Sequence, residues 1–230
     1  ALRGSLQRIG SSVDRASHLV SQLLTLARAE SSGGDMQAEE RVDFAALVRG
    51  VAEEWVLPAA QKHLELDFEA PPAGAPVFGN AFLLREMVSN LIDNAIRYTQ
   101  GTDEVPGQIH VRVRDVYQPL PYTSEEDASL VKGPERWAVL EVEDTGVGLT
   151  EVQAELVFER FFRVDDAKTS GSGLGLPIVR EIATYHHGEA RLIPNASGVG
   201  VTAQVRLPLY VVAPPAPVRP YRPPLMPGSV

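Results

Sequence analysis

Residues 83–98 have the apolar density of a buried helix, but polar residues interrupt them at a regular interval. Glu86, Asn90 and Asn94 recur every four residues, so they share one face of a helix. Asparagine is unfavourable inside a helix because its amide competes for backbone partners. The pattern indicates either the polar wall of a pocket, with amide oxygens facing a hydrated cation, or the ordinary solvated face of an amphipathic helix.

Residues 1–29 predict the most regular helix of the chain. A heptad seam, typical of a helix bundle, is formed by Leu2, Leu6, Ile9, Val13, Ala16, Val20, Leu23 and Ala27. A single helix cannot bury this seam, so we expect it to pair with a helix outside this chain or with a second copy of itself. Residues 30–42 are polar and contain glycines, which predicts a linker at a domain boundary.

The rest of the chain alternates between helical and strand patterns. Helices are predicted at 43–62, 83–98, 150–158 and 174–186, and strands at 63–70, 76–79, 108–115, 136–143, 189–194 and 199–209. Asp43 and Thr150 are typical N-cap residues. Residues 116–135 are rich in prolines and acids and predict a long hairpin excursion. The proline-rich tail after residue 210 predicts an extended or disordered segment.

Composition excludes several classes of protein. The 230 residues are 44% hydrophobic and 22% charged, which is typical of a soluble globular protein with one sizeable domain. No apolar run approaches the roughly 20 residues that cross a bilayer. The absence of cysteine excludes disulfides and thiolate metal sites, and a net charge of −9 argues against a general nucleic-acid binder. The first residue is not methionine, so we expect a segment of a longer protein.

Two glycine clusters follow the asparagine helix in the sequence. The segment DTGVG, residues 144–148, ends a predicted strand. There a carboxylate can accept a hydrogen bond from an exocyclic amine, or the glycines make a plain turn. The segment GSGLG, residues 171–175, opens a predicted helix whose amides can bind phosphate, or it is a flexible loop. The sequence lacks the Gly-Lys-Ser/Thr of a P-loop, and the glycine spacing is not that of a dinucleotide fold.

Together these segments resemble the catalytic, ATP-binding domain of sensor histidine kinases, in the superfamily that includes gyrase, heat-shock chaperone and mismatch-repair ATPases. The matching segments, over roughly residues 43–209, are SNLIDNAIRYT, VEDTGVGL, VFERFFR, GSGLGLPIVREIATYHHGEARL and VRLPL. The segment DRASHLVSQLLTLARAE resembles the second helix of the dimerisation and phosphotransfer hairpin of these kinases. The resemblance implies an α/β (α+β) two-layer sandwich of the Bergerat type, with a mixed sheet covered on one face by helices. It implies four segments. Residues 1–29 are expected to be the second helix of the truncated hairpin, 30–42 a linker, 43–210 the catalytic ATP-binding domain and 211–230 a proline-rich, disordered tail.

The resemblance also implies a role for individual residues around ATP. Asn90 is expected to ligate Mg²⁺ through its amide oxygen, since this hard cation prefers oxygen ligands and keeps several waters. Asp144 is expected to accept a hydrogen bond from the adenine amino group. The other expected nucleotide contacts are Asn94, Arg97, Tyr98, Gly146, Gly148, Arg163, Gly171, Gly173, Leu174 and Gly175. The expected anchors of the glycine-hinged lid are Phe158, Phe161 and Phe162.

The implied function is transfer of the ATP γ-phosphoryl group to a histidine, and thence to an aspartate of a response-regulator protein. The family's phosphoaccepting histidine lies in a motif that this chain lacks, so we expect the fragment alone to bind ATP without phosphorylating itself. The resemblance implies a homodimer through the N-terminal helix bundle, at the cytoplasmic face of the bacterial inner membrane. Parts outside this chain would hold it there.

Two alternatives stay open on the sequence alone. A hydrolytic ATPase of the same superfamily would use Glu86 as its general base, whereas a kinase has to avoid wasting ATP. A non-enzymatic scaffold would carry a decayed nucleotide pocket. The sequence also departs from the family's pattern in two places. The excursion at 116–135 is longer than the family's hairpin, and Val201, followed by Thr202, stands where the family has a threonine.

Overall fold

The structure, a computed structural model, describes residues 39–117, 136–164, 172–196 and 198–210. In chain order its elements are β1 (Glu40–Asp43), α1 (Phe44–Ala60), β2 (Leu64–Glu69), β3 (Pro76–Gly79), α2 (Ala81–Tyr98), β4 (Gly107–Tyr117), β5 (Arg136–Asp144), α3 (Glu151–Leu156), α4 (Gly175–Tyr185), β6 (Glu189–Pro194) and β7 (Val201–Pro208). The predicted N-terminal helix, most of the predicted excursion and the proline-rich tail lie outside the described residues.

Within the described residues, five strands form one sheet in the order β2–β4–β5–β7–β6. Strands β2 and β4 run parallel, and the other neighbouring pairs run antiparallel. Strands β1 and β3 form a separate antiparallel ribbon. The prediction of a mixed sheet with helices is therefore confirmed.

The two faces of the sheet differ because apolar and polar residues alternate along its strands. Ile109 and Val111 of β4 are fully buried, and they belong to the same core cluster as apolar residues of α1, α2 and α4. The opposite face carries cross-strand ion pairs, such as Arg114 with Glu141 at 3.1 Å. Burial of the apolar face against the three helices therefore builds the core that supports α2 and α4.

Helix caps predicted from the sequence are present in the structure. The Asp43 side chain accepts a hydrogen bond from the Ala46 amide at 3.2 Å. Thr150 and Gln153 form a reciprocal capping box at the start of α3. Such caps satisfy amides that the first helical turn leaves without partners.

Two predicted boundaries need correction. The predicted linker extended to residue 42, but β1 begins at Glu40 and pairs with β3, because Val42 is buried opposite Val77. The predicted excursion began at residue 116, but β4 continues to Tyr117, which pairs with Arg136. In both places the strand is stabilised by a partner that lies far away in the sequence.

The end of α4 is fixed to the start of α2 by His186. Its Nε2 atom accepts a hydrogen bond from the Asn80 amide at 3.0 Å, and its Nδ1 atom donates to the Ile182 carbonyl at 2.7 Å. Gly79 makes room for the ring, since a Cβ on Gly79 would lie 2.2 Å from the His186 Cδ2 atom. Burial lowers the pKa of His186 below its ordinary value, so the ring is neutral in this network. The two helices that bound the candidate site are thus held together at their far ends.

Candidate functional site

Asn90 lies on the face of α2 that turns toward α4. It is 8% exposed, and its Nδ2 atom donates to the Glu86 carbonyl at 2.8 Å. Because the amide nitrogen is turned back to its own helix, the Oδ1 atom faces away from the helix backbone. A Cβ built on Gly175 would lie 3.2 Å from this oxygen. The amide oxygen of Asn90 is therefore directed at the first residue of α4.

Asn94, one turn further along α2, faces the same glycine. A Cβ on Gly175 would lie 3.5 Å from the Asn94 Nδ2 atom. This nitrogen is buried and has no hydrogen-bond partner among the described residues. A buried donor without a partner costs about 1–3 kcal/mol, so the arrangement favours a bound polar group as its partner.

The start of α4 presents backbone amides near these asparagines. Its N-cap residue, Leu174, is buried, and no side chain among the described residues caps the helix. Pro177 lies in the first turn, where its missing amide does no harm. Since the positive end of the helix dipole also lies here, this end of α4 can bind an anion beside the Asn90 and Asn94 amides.

The segment before α4 is connected to the phenylalanine-rich stretch. Phe161 donates its amide to the Gly173 carbonyl at 2.9 Å, and a Cβ on Gly173 would lie 2.7 Å from the Phe161 Cα atom. Phe158 is buried, with the Arg180 guanidinium carbon 4.1 Å from its ring centroid. Phe161 thus contacts the residue that precedes Leu174, and Phe158 packs against α4, whereas Gly171 lies outside the described residues.

Asp144 lies near the C-terminal end of α2, about one turn beyond Asn94. Its Oδ1 atom accepts a hydrogen bond from the Gly146 amide at 2.8 Å, and the Val201 backbone also donates to its carboxylate. A Cβ on Gly146 would lie 2.6 Å from the Tyr98 carbonyl oxygen, at the last residue of α2. Burial raises the pKa of Asp144 above its ordinary value, since desolvation outweighs these hydrogen bonds.

The turn between β6 and β7 packs against the Asp144 loop. The Gly200 amide donates to the Gly146 carbonyl at 2.9 Å, and a Cβ on Gly200 would lie 1.8 Å from the Asp144 carbonyl oxygen. Gly148 has a φ of 72°, and a Cβ there would lie 2.8 Å from the Gly198 carbonyl oxygen. These close approaches require glycine and give the loop a fixed backbone.

A comparison with known protein families shows the family to which the chain belongs. Residues 79–211 match the family described as "Histidine kinase-, DNA gyrase B-, and HSP90-like ATPase". The chain belongs to this ATPase family. The match covers α2 and both glycine clusters, including Asp144 at the start of the first cluster, which are the parts that form the candidate site.

Curated relatives narrow the assignment within the ATPase family. The chain is 35% identical over 209 residues to "Sensor protein kinase PmrB" of Pseudomonas aeruginosa, covering 90% of this chain and 38% of the relative. It is 32% identical over 203 residues to "Sensor histidine kinase RppB" of Synechocystis sp., covering 86% of this chain and 39% of the relative. The chain spans less than half the length of these relatives. It is an ATP-binding catalytic domain of the histidine kinase type, and neither alternative from the sequence is favoured.

Solved structures agree with this fold. "Mycobacterial sensor histidine kinase MprB" is 27% identical with a TM-score of 0.57, covering 75% of this chain and 98% of that chain. "Crystal structure of ShkA full-length in complex with AMPPNP" is 22% identical with a TM-score of 0.68, covering 93% of this chain and 40% of that chain. At that lower identity the second likeness shows the fold alone.

The remaining residues predicted for the ATPase site differ in their contacts and burial. Arg97, predicted to neutralise phosphate charge, makes an ion pair with Asp93 one turn earlier on α2. Tyr98 and Arg163 are partly buried. Among the described helices, none combines the length and hydrophobicity that a membrane crossing needs.

One residue of the site was missed by the sequence analysis. Asn195 donates its side-chain amide to the Asp144 carbonyl at 3.3 Å. Its position before the glycine-containing β6–β7 turn is typical of an ordinary turn residue, so the sequence offered no signal of this long-range contact.

Proposed function

We propose that this domain binds Mg²⁺-ATP along α2, between the two glycine clusters, and that the whole protein uses it to phosphorylate a histidine. One relationship carries the proposal. Gly175 lies against the Asn90 and Asn94 side chains, while Gly146 lies against the carbonyl of Tyr98 on the same helix. A phosphate-binding element beside Asn90 and Asn94 and a base-binding element beside Tyr98, one after the other along the C-terminal half of one helix, suit an extended nucleotide.

The donor set around Asn90 fits Mg²⁺ better than a metal that needs several charged ligands. The described residues contain no group of three or more His, Cys, Asp or Glu side chains suited to hold a metal ion. Asn90 supplies an amide oxygen directed at the start of α4, and Mg²⁺ sites commonly combine one or two protein oxygens with phosphate oxygens and waters. Asn90 would hold the ion, and a bound Mg²⁺ would supply positive charge that offsets the charge developing on the transferred phosphoryl group.

The phosphate end of the site works by positioning and charge neutralisation. The Asn94 Nδ2 atom and the first amides of α4 provide neutral donors, and Gly175 lets phosphate oxygens approach them. Arg97 and Arg163 would add positive charge, although Arg97 must share its guanidinium with Asp93. The segment ending in Gly173 and Leu174 would close over the phosphates, with Phe158, Phe161 and Phe162 as its anchors.

The base end of the site selects adenine through Asp144. Its carboxylate accepts from the Gly146 amide and can also accept from the exocyclic amine of adenine. A hydrogen bond to a charged acceptor in a buried setting is stronger than one in water. Gly146 and Gly148 would let the flat base lie close to the backbone, and Tyr98 would pack beside it.

The partners follow from the relatives rather than from this chain. The curated relatives are named sensor kinases, which supports a response-regulator protein as the acceptor of the phosphoryl group. It also supports a homodimer formed through the N-terminal helix bundle, attached to the cytoplasmic face of the inner membrane by parts of the protein outside this chain. We propose no nucleic-acid partner.

Two measurements test the proposal. Titration calorimetry of the chain with ATP should show binding that tightens when Mg²⁺ is added. Incubation with γ-labelled ATP should label a protein that supplies the histidine-containing hairpin in trans, but should not label the chain alone. No ATP binding at all would overturn the proposal, as would phosphohistidine on the chain by itself.

Glu86 gives a separate test of the chemistry. We propose that the domain hydrolyses ATP slowly and that Glu86 is not an efficient base for water. Its backbone carbonyl holds the Asn90 amide, which is a positioning contact that survives Glu86→Gln. Steady phosphate release by the unaltered chain that Glu86→Gln abolishes would instead assign Glu86 as a hydrolytic base.

A further inference from the structure

Asn195 contacts three parts of the base end of the site at once. Its Nδ2 atom donates to the Asp144 carbonyl at 3.3 Å and to the Val199 carbonyl at 3.2 Å. Its Oδ1 atom accepts from the Thr202 hydroxyl at 3.0 Å. Because both carbonyls can only accept, they require the NH₂ group on their side, and the donating hydroxyl is satisfied by the oxygen on the other side.

These contacts act on Asp144 through its backbone. The Asp144 carboxylate is held by the Gly146 amide and by the Val201 backbone, while its carbonyl oxygen is held by Asn195. A residue held at both its carbonyl and its side chain has little freedom to rotate its carboxylate. The Gly200 backbone, packed on the same carbonyl, keeps the turn that carries this contact close to it.

We propose that Asn195 is a positioning residue for nucleotide-base recognition, which sets the direction of the Asp144 carboxylate by clamping the β6–β7 turn onto the Asp144 carbonyl. This inference rests on the proposed function of Asp144. Asn195 is assigned no contact with the nucleotide. Substitution of Asn195 should therefore reduce only the contribution that the exocyclic amine of adenine makes to the binding free energy.

The test compares ATP with purine riboside triphosphate, which lacks only that amine. Asn195→Ala should weaken ATP binding by about three- to ten-fold, the value of roughly one hydrogen bond, and leave the affinity for purine riboside triphosphate nearly unchanged. Thr202→Val should act in the same direction, since it removes the hydroxyl that orients the Asn195 amide. Arg191→Ala is the matched control, because Arg191 lies on β6 and bonds Gln204 instead.

A double-mutant cycle and a ligand-free measurement complete the test. In an Asp144→Asn background, Asn195→Ala should cause no further loss of ATP affinity, because the two changes remove one interaction. In the ligand-free protein, Asn195→Ala should speed hydrogen exchange at the Gly146 and Gly200 amides, which join the loop and the turn.

The possible outcomes distinguish a failure of this inference from a failure of the proposed function on which it rests. If the unaltered chain binds both nucleotides equally, the assignment of Asp144 fails and this inference fails with it. If the unaltered chain prefers ATP but Asn195→Ala keeps that preference, or weakens both nucleotides alike, the inference alone is overturned.

Discussion

Gly175 of α4 and Asn90 of α2 meet at a distance that leaves little room for a Cβ atom on the glycine. A Cβ on Gly175 would lie 3.2 Å from the Asn90 Oδ1 atom, closer than ordinary van der Waals contact. The Asn90 amide cannot easily rotate away, because its nitrogen is bonded to the Glu86 carbonyl. The contact therefore links the helix that carries the expected metal ligand to the helix whose first amides are proposed to bind phosphate.

The first prediction uses this contact. Gly175→Ala should displace the Asn90 oxygen by a few tenths of an ångström and weaken Mg²⁺-ATP binding by about ten-fold, or roughly 1.4 kcal/mol. The free energy of unfolding should change little, because alanine is the better helix former and offsets the crowding. Calorimetric titration and urea unfolding measure the two effects separately.

A matched control for this prediction lies in α1. A Cβ on Gly50 would meet nothing within 4 Å. Gly50→Ala should therefore raise the free energy of unfolding by about 0.5–1 kcal/mol and leave nucleotide affinity unchanged. Equal nucleotide affinities in the two variants would contradict the idea that the Gly175–Asn90 contact matters for binding.

The second prediction concerns the metal. Asn90→Ala removes the amide oxygen expected to ligate Mg²⁺, so ATP affinity should no longer increase on addition of Mg²⁺. Binding without Mg²⁺ should remain measurable, because the α4 amides and Asp144 are unchanged. Ser89→Ala, one residue earlier and on a different side of the helix, should keep the dependence on Mg²⁺. An Asn90→Ala protein whose ATP affinity still rises with Mg²⁺ as in the unaltered chain would remove Asn90 from the metal site.

Much of the fold could be predicted from the sequence because its elements are strongly periodic. The central helix was predicted at 83–98 and spans Ala81–Tyr98, and the predicted N-caps Asp43 and Thr150 are both present. Strand β1 could not be predicted in the same way. It has four residues, only Val42 among them is buried, and its pairing with β3 depends on residues far along the chain.

In the candidate site, too, local features could be predicted from the sequence, whereas long-range contacts could not. The sequence predicts nucleotide contacts at Asn90, Asp144 and the glycines, because unusual residue types in a regular order carry local information. It assigned Arg97 to phosphate, although Asp93 stands four residues earlier and such spacing favours an ion pair on a helix. The contact between Asn195 and Asp144 joins residues 51 positions apart and follows from tertiary packing alone.

The third prediction separates folding from binding at Asp144. Burial raises the pKa of Asp144 above its ordinary 3.8. The folded state therefore keeps a proton that the unfolded chain releases, and the resulting stabilisation is lost as the pH rises through the folded-state pKa. Asparagine cannot ionise, so Asp144→Asn should gain stability relative to the unaltered chain as the pH rises from about 4 to about 7. It should bind ATP at least about ten-fold more weakly, since an amide nitrogen or a poorer acceptor replaces the carboxylate.

Urea unfolding across this pH range, paired with calorimetry at neutral pH, checks both parts of the third prediction. A matched change is Asp115→Asn near the exposed end of β4, where the carboxylate pairs with Arg136. That variant should lose little ATP affinity. If Asp144→Asn binds ATP as the unaltered chain does, the carboxylate is not the acceptor for the base.

The last prediction concerns the neutral histidine that joins α4 to α2. His186 accepts from the Asn80 amide, so a proton on its Nε2 atom would place two donors against each other. Burial lowers its pKa below 6.5, which means that the unfolded chain takes up a proton before the folded state does as the pH falls. The stability that the neutral ring contributes is thus present above about pH 6.5 and is lost as the pH falls through the folded-state pKa.

His186→Leu should remove this pH dependence. The variant should be less stable near pH 7 by about 1–3 kcal/mol, because the Asn80 amide loses its partner, but the deficit should shrink as the pH falls below about 6.5. His187→Leu is the control, since the neighbouring ring does not bond the Asn80 amide. It should keep the acid-induced loss of stability. Urea unfolding in half-unit steps of pH would reveal the difference, and a deficit that stays constant over that range would mean that His186 acts through packing rather than through its protonation state.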